Sequence, residues 1–238
     1  MLRTTITPSL RRLLRWAMHA PCVCCGRYDD GREICPPCAE KIAVTPWGVS
    51  GLDCGDIRIP ILWREAYGGP LTALVVQSKY HGLWSVARLL GRTLGSLPKP
   101  WLGSAPIAVA IPLSGSRLAN RGYNQSLMIA QAAAAAWNIP VRRYWLQKIK
   151  QTSRQASLDR GQRQHNLLGS FRASQAIAGQ RVILIDDIMT SGATLREAIT
   201  AIRQANGTVI GAAVIARVGP MAPARIHFSQ HHAAHRPS

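Results

Sequence analysis

Negative charge is scarce in this chain: 238 residues carry 11 Asp and Glu against 29 Lys and Arg, a formal net charge of +18. Cysteine is absent after Cys54 and lysine after Lys150, and between Arg58 and Ile185 the only acids are Glu65 and Asp159. No apolar run reaches the roughly 18 residues of a membrane span, so none is expected. The basic start MLRTTITPSLRRLLRWAMHA has no continuous apolar core and no clear cleavage site, which argues against secretion and for a cytoplasmic place. Behind Thr7-Pro8, the residues Leu10, Leu13, Leu14, Ala17 and Met18 keep helical spacing, predicting a basic amphipathic helix within 1–20. Its leucine stripe suits docking on the protein, while its arginines keep open a peripheral position at the inner face of the membrane. The charge speaks to partners rather than fold: nucleic acid, anionic lipid and phosphorylated small molecules all suit it.

What is present begins with the six cysteines, all before residue 55. In CVCCGRYDDGREICPPC, Cys22 and Cys25 form one C-x-x-C pair, and Cys35 and Cys38 a second. Two such knuckles can present four thiolates around Zn²⁺. Cys24 could replace either neighbour as a ligand, and Cys54 has no evident partner. A disulfide framework fits poorly with the lack of a secretion signal.

Farther along, IRIPILWREAY reads as a strand, and two helical segments follow the GGP turn and break at Gly82. Beyond the Pro/Gly-rich stretch 98–106, strands at 107–111, 141–145, 181–186 and 208–216 alternate with helices at 124–137 and 193–205. That alternation predicts a mostly parallel α/β sheet flanked by helices. The tail 219–238, rich in His, Pro and Ala, reads as disordered, although His227, His231, His232 and His235 could bind metal.

The chemistry concentrates in VILIDDIMTSGATL, residues 182–195. Ligands of open α/β sheets bind at the carboxyl ends of strands. The loop MTSGAT offers backbone N–H groups, the Thr190, Ser191 and Thr194 hydroxyls, and a positive helix terminus, which together make a phosphate cradle. Gly192 lacks the Cβ that would block a phosphate. Asp186 and Asp187 suit ribose hydroxyls or a metal ion, and a ribose 5-phosphate fits both halves. A nucleoside-triphosphate P-loop is excluded, because it ends in Gly-Lys-Ser/Thr and no lysine lies here.

VILIDDIMTSGAT resembles the PRPP-binding signature of type I phosphoribosyltransferases. The cysteine knuckles, YGGPLTALVVQSKYHG, IPLSGSRLANRGYNQS and QTSRQASLDRGQRQHNLLGSF, in that order over residues 20–217, further resemble the ComF family, which includes ComFC and GntX-like proteins. The resemblance implies a small N-terminal four-cysteine zinc ribbon (21–56), a helical hood (57–100) and a type I phosphoribosyltransferase-like core (101–218). It puts Asp186 and Asp187 on the ribose hydroxyls of PRPP, and Thr190, Ser191, Gly192, Ala193 and Thr194 on its 5′-phosphate. Ser114, Gly115, Ser116 and Arg117 match the pyrophosphate loop, with Arg121 and Asn124 close by. For RGYNQ the plainer reading is a helix start, with Asn124 as N-cap and Tyr123 packed on the core.

Residues 142–172 hold eight Lys and Arg against Asp159 alone, and match the loop that closes over pyrophosphate in this fold. Arg154, Arg160 and Arg163 are its charge clamps, with Gln155 and Asn166 as neutral partners. Lys79 could reach an anion, and His81 reads as an interdomain hydrogen-bonder. Two functions follow from the resemblance. One is Mg²⁺-dependent transfer of a 5-phosphoribosyl group from PRPP. The other is a non-catalytic role in DNA uptake, binding PRPP or nucleotide together with single-stranded DNA. The family context is natural competence and the use of DNA as a nutrient, with a helicase-like ATPase as a partner.

Overall fold

The computed structural model of the chain describes residues 21–27, 34–80, 83–98, 106–149 and 169–219. The helix expected within 1–20, the basic-loop residues Arg154, Gln155, Arg160, Arg163 and Asn166, His81 and the histidines of the tail lie outside the described residues.

The strands are β1 (Gly48–Cys54), β2 (Ile57–Ala66), β3 (Ile107–Ala110), β4 (Leu146–Lys148), β5 (Phe171–Ala173), β6 (Arg181–Met189) and β7 (Thr208–Arg217). Five of them form one sheet in the order β1-β2-β7-β6-β3. Its first pair is an antiparallel hairpin and every other pairing is parallel. The sheet thus draws strands from three of the segments distinguished in the sequence. The VILI run forms the body of β6 and is buried on both faces, as an inner parallel strand requires. Val182 and Leu184 join one apolar cluster, and Ile183 and Ile185 the other. The strand continues past the two acids to Met189, pairing Ile188 with Ala216 and Met189 with Arg217.

Helices α1 (Pro36–Val44), α2 (Pro70–Tyr80), α3 (Trp84–Gly95), α4 (Gly115–Arg121), α5 (Gln125–Trp137) and α6 (Ala193–Gln204) complete the fold. The leucines of α2 and α3 and the inward residues of α5 cover one face of the sheet. Leu195, Ile199 and Ile202 of α6, with Leu146 and Phe171 of the β4–β5 hairpin, cover the other. α3 and α5 approach closely because small residues meet: a Cβ on Gly91 would lie 2.6 Å from that of Ala132, and one on Gly95 2.7 Å from that of Ala136.

The strand expected at 141–145 reduces to a single parallel bridge, Ala108 with Val141. Arg142, Arg143 and Tyr144 turn outward into solvent, and extended backbone resumes only at Leu146.

Two buried charges in β2 organise its surroundings. Arg64, 4% exposed, donates to the carbonyls of Thr45 (2.9 Å) and Ile42, capping the C-terminal end of α1. Glu65, fully buried, accepts from the Leu71 amide (3.2 Å), the Thr72 amide and the Thr72 hydroxyl (2.7 Å), so it closes the amino end of α2. A Cβ on Gly69 would come within 2.4 Å of that carboxylate. The YGGPLT stretch is therefore a glycine turn shaped around an internal anion.

Candidate functional site

Chain direction locates the crevice. From β3 the chain crosses through α5 to Val141 on one side, and from β6 it crosses through α6 to β7 on the other. The order therefore reverses between the neighbours β3 and β6, and at such a switch point the two following loops diverge and leave a ligand crevice. Those loops are 111–114 and 190–192.

The first loop holds the buried Ser114, whose Oγ lies 3.4 Å from that of Ser116. Gly115 and Ser116 are exposed and Arg117 is half-buried in α4. Arg121 ends α4, and Gly122 follows in the left-handed region at φ 73°. The next four residues tie the start of α5 to three other parts of the fold. The Tyr123 hydroxyl donates to the Ser78 carbonyl at 2.7 Å. Asn124 caps α5 by accepting from the Leu127 amide (3.3 Å) and donates to the Ile111 carbonyl (3.1 Å). Gln125, 1% exposed, donates to the Val75 carbonyl (3.0 Å) and to the Ser78 hydroxyl. Ser126 donates to Asp186 Oδ1 at 2.9 Å.

In the second loop, Thr190 and Ser191 are exposed, while Ala193 and Thr194 are half-buried in the first turn of α6. The Ser191 hydroxyl accepts from the Ala193 amide at 3.4 Å. Gly192 sits at φ 77°, and a Cβ there would strike Leu52 Cδ1 at 2.5 Å. The left-handed backbone favours glycine here, independently of any ligand, and a side chain would also displace the tip of Leu52. Arg196 braces the loop, donating to the Ser191 carbonyl (2.8 Å) and to the Asp53 carbonyl (2.9 Å). The leading N–H groups of α6 have no intrahelical acceptor, as in any helix, and here they open onto the crevice.

Between the loops stands the acid pair. Asp186 accepts from Ser126 and from the Asp187 amide (2.8 Å), and Asp187 accepts from the Ile188 amide (2.6 Å). Burial, and after it the neighbouring Asp187 charge, push the Asp186 carboxyl up to about 7. Asp187 Oδ2 meets Lys79 Nζ at 2.8 Å, so the anion that this lysine reaches is internal. Lys148 of β4 is held below its ordinary value by burial and by Arg117, against the pull of Asp186. Lys148, Ser126 and Arg196 are not singled out by sequence reasoning, because their partners lie far off along the chain.

The four-cysteine cluster stands apart from the crevice. The Sγ atoms of Cys22, Cys25, Cys35 and Cys38 all lie within 4.8 Å of one another, a set that could hold a metal ion, and Cys24 lies outside it. All six cysteines are free thiols. The Cys35 amide donates to Cys22 Sγ at 3.3 Å, and Cys25 Sγ lies 3.7 Å from Cys35 Sγ. Burial opposes the Cys22 thiolate, yet amides of Cys35, Cys25 and Cys24 outweigh it and lower this thiol to about 6. Burial and the neighbouring thiols push Cys38 up. Spacing, free thiols and amides aimed at sulfur are what a tetrahedral thiolate site requires.

Among the described residues, no helix is long and apolar enough to cross a membrane. A sequence model of the phosphoribosyl transferase domain matches residues 123–228. A DNA utilization protein of Salmonella typhi is 29% identical over 197 residues, covering 74% of this chain and 81% of its own. Competence protein F of Haemophilus influenzae is 30% identical over 139 residues, covering 55% of this chain and 61% of its own. A solved glutamine PRPP amidotransferase from B. subtilis shares 22% identity at a TM-score of 0.36, covering 57% of this chain and 26% of that one.

Proposed function

We propose that this chain, a member of the ComF family with a phosphoribosyl transferase domain, binds PRPP in the crevice between β3 and β6 and transfers its 5-phosphoribosyl group. The observation that carries the reading is the placement of an acid pair between two loops at the strand-order reversal. Asp186 and Asp187 accept the ribose hydroxyls. The loop Thr190–Thr194 and the start of α6 hold the 5-phosphate, while Ser114, Gly115, Ser116 and Arg117 receive the pyrophosphate. Arg121 lies at the rim of that loop, and Asn124 acts by holding it to α5. Arg154, Gln155, Arg160, Arg163 and Asn166 belong to the segment assigned to closure over the ligand.

In the reaction the ribose C1–oxygen bond to pyrophosphate breaks as an acceptor nucleophile bonds to C1. Positive charge grows on the sugar and negative charge on the departing pyrophosphate. Fixed donors and cations, Arg117 and Lys148 among them, stabilise the leaving anion, and closure keeps water from taking the acceptor's place. Mg²⁺ carried in with PRPP supplies further charge neutralisation. Zn²⁺ is the ion that suits the four thiolates, in a structural role.

A second reading, a nucleic-acid-binding role in DNA uptake or utilisation, is favoured by the names of the relatives. It is favoured also by the turn at 142–145, where the exposed Arg143 lies 5.9 Å from the ring centre of the exposed Tyr144, and Arg142 5.8 Å from that of the half-buried Trp145. Exposed aromatic and guanidinium planes are what unpaired bases stack on. Retention of single-stranded DNA that falls steeply with salt is the expected sign, and salt-independent or absent binding would defeat it.

Calorimetry with PRPP and Mg²⁺ on the wild type and on Asp186→Ala/Asp187→Ala tests the main reading, followed by pyrophosphate release over a panel of acceptor bases. Binding lost in the double variant, with turnover in the wild type, supports transfer. Binding without turnover reduces the reading to recognition, and no binding by the wild type removes it.

A further inference from the structure

We infer that Lys79 is a positioning residue of the acid pair: it orients Asp187 toward the sugar hydroxyls and neutralises the Asp187 charge that would otherwise repel an anionic ligand. The inference rests on the PRPP reading above.

Exposed ion pairs contribute little, because water screens them and long side chains must be ordered. The Lys79–Asp187 pair is different: its side chains are 21% and 15% exposed, at 2.8 Å. The helix that delivers Lys79 is also fixed at both ends. At its start, Glu65 accepts from Leu71 and Thr72, and Gly69 leaves room for that carboxylate. At its end, Tyr123 and Gln125 hold the carbonyls of Ser78 and Val75. The next residue along, Ser126, holds Asp186. One run of four residues, Tyr123–Ser126, therefore sets the position of Lys79 and of the other acid together. No such bracket is needed to keep α2 on the sheet, where Leu71, Leu74 and Val75 are fully buried.

The charge balance points the same way. Adjacent carboxylates repel each other and any phosphate nearby. Among the described residues, Lys79 of α2 is bonded to Asp187, and Lys148 of β4 interacts electrostatically with Asp186 and with Arg117 of α4. Lys148 is the cation within reach of Asp186, and Lys79 is the one bonded to Asp187. With Lys79 in place Asp187 can accept hydrogen bonds from hydroxyls without presenting an uncompensated charge of its own. A lysine that only tied α2 to β6 would be indifferent to the ligand's sugar hydroxyls, whereas one that orients Asp187 for them would not.

The test uses the full chain and calorimetry with PRPP and Mg²⁺, ribose 5-phosphate and 2-deoxyribose 5-phosphate, on wild type, Lys79→Met, Lys79→Arg, Asp187→Asn and Lys79→Met/Asp187→Asn. The wild type is expected to bind PRPP and to favour the ribose over the deoxyribose sugar. Lys79→Met should weaken PRPP by about tenfold or more, the scale of one charge-assisted hydrogen bond, and narrow the sugar preference. Lys79→Arg should restore most of both, and the two losses in the double variant should overlap instead of adding. Wild-type affinity and preference in Lys79→Met, full additivity, or a folded Lys79→Arg that binds no better than Lys79→Met would each overturn the inference while PRPP binding stands. Failure of the wild type itself to bind PRPP would instead sink the reading on which it rests.

Discussion

The crevice and the cysteine module are both polar clusters, but they are held in place by opposite means. Asp186 and Asp187 lie within β6, which pairs with β3 and β7 and is packed on both faces. The strands define that site whether or not a ligand is there. The four thiols sit on a turn and the start of α1, and among the described residues around them Val23, Cys24, Ile34 and Ile42 reach the apolar core. Arg64 is the main polar tie between this module and the sheet. A site built on an inner strand is preformed; a thiol cluster on a short module has few apolar contacts to hold it, and a bound ion would supply the rest.

The strongest way to break that comparison is to remove the ion. Cys35→Ser/Cys38→Ser should abolish bound metal, because structural Zn²⁺ contributes about 10–16 kcal/mol in zinc-finger peptides and two ligands cannot hold it as four do. Amide exchange should then become fast across 34–44 and stay slow in β6 and β7, with PRPP binding kept. Unchanged stoichiometric metal would remove the four-thiolate site, and lost protection in β6 would show that the sheet depends on the module after all. Next in size is Arg64→Met, which strips the two C-terminal carbonyls of α1 of their donor. Each charge-assisted bond contributes roughly 1.5–3 kcal/mol, and the loss should register as fast exchange in α1 before any change in the sheet.

Asp186 probes the other side of the comparison, a site whose strain the scaffold absorbs. Its carboxyl is raised from 3.8 to about 7, so the folded state favours the protonated form. The stability this group contributes is whole below about pH 4 and is lost as pH rises through about 7. Asp186→Asn should remove that slope and make the ligand-free protein more stable at pH 8 by up to about 4 kcal/mol, since each tenfold change in proton affinity corresponds to about 1.4 kcal/mol and the rise spans about three. Denaturant melts at pH 5 and pH 8 decide it; parallel differences at both would show that the carboxyl is not desolvated.

Much of the crevice was legible because its signals are local. A run of four apolar residues, two acids and a Thr-Ser-Gly-Ala-Thr loop announce a strand, an acid pair toward its end and a helix start without any distant contact. The four-thiol set was legible for the same reason, although only packing selects Cys25 over Cys24. Strand β1 was missed: GVSGLDC carries two glycines and little alternation, and it becomes a strand by pairing with β2. At 141–145 β-branched and aromatic residues suggested a strand, yet Arg142, Arg143 and Tyr144 have no sheet neighbour to bury them. RGYNQS resisted assignment because its side chains serve α2, β3, α5 and β6 at once. Ser126 and Asp186 are 60 residues apart, and no local pattern links them.

The smallest expected effect separates scaffold from site most finely. Asn124 caps α5 and ties the end of β3 to it through Ile111. Asn124→Ala should cost about 1 kcal/mol in stability, the usual loss for an N-cap. If the crevice is preformed by the sheet, PRPP affinity should fall by no more than the cap predicts, and Asn124→Asp, which keeps the acceptor for Leu127 and drops the donor to Ile111, should recover the stability. Should Asn124→Asp fold as well as the wild type yet bind PRPP much more weakly, the Ile111 bond would be shaping the pyrophosphate loop. The crevice would then depend, like the cysteine module, on a few polar ties as well as on its strands.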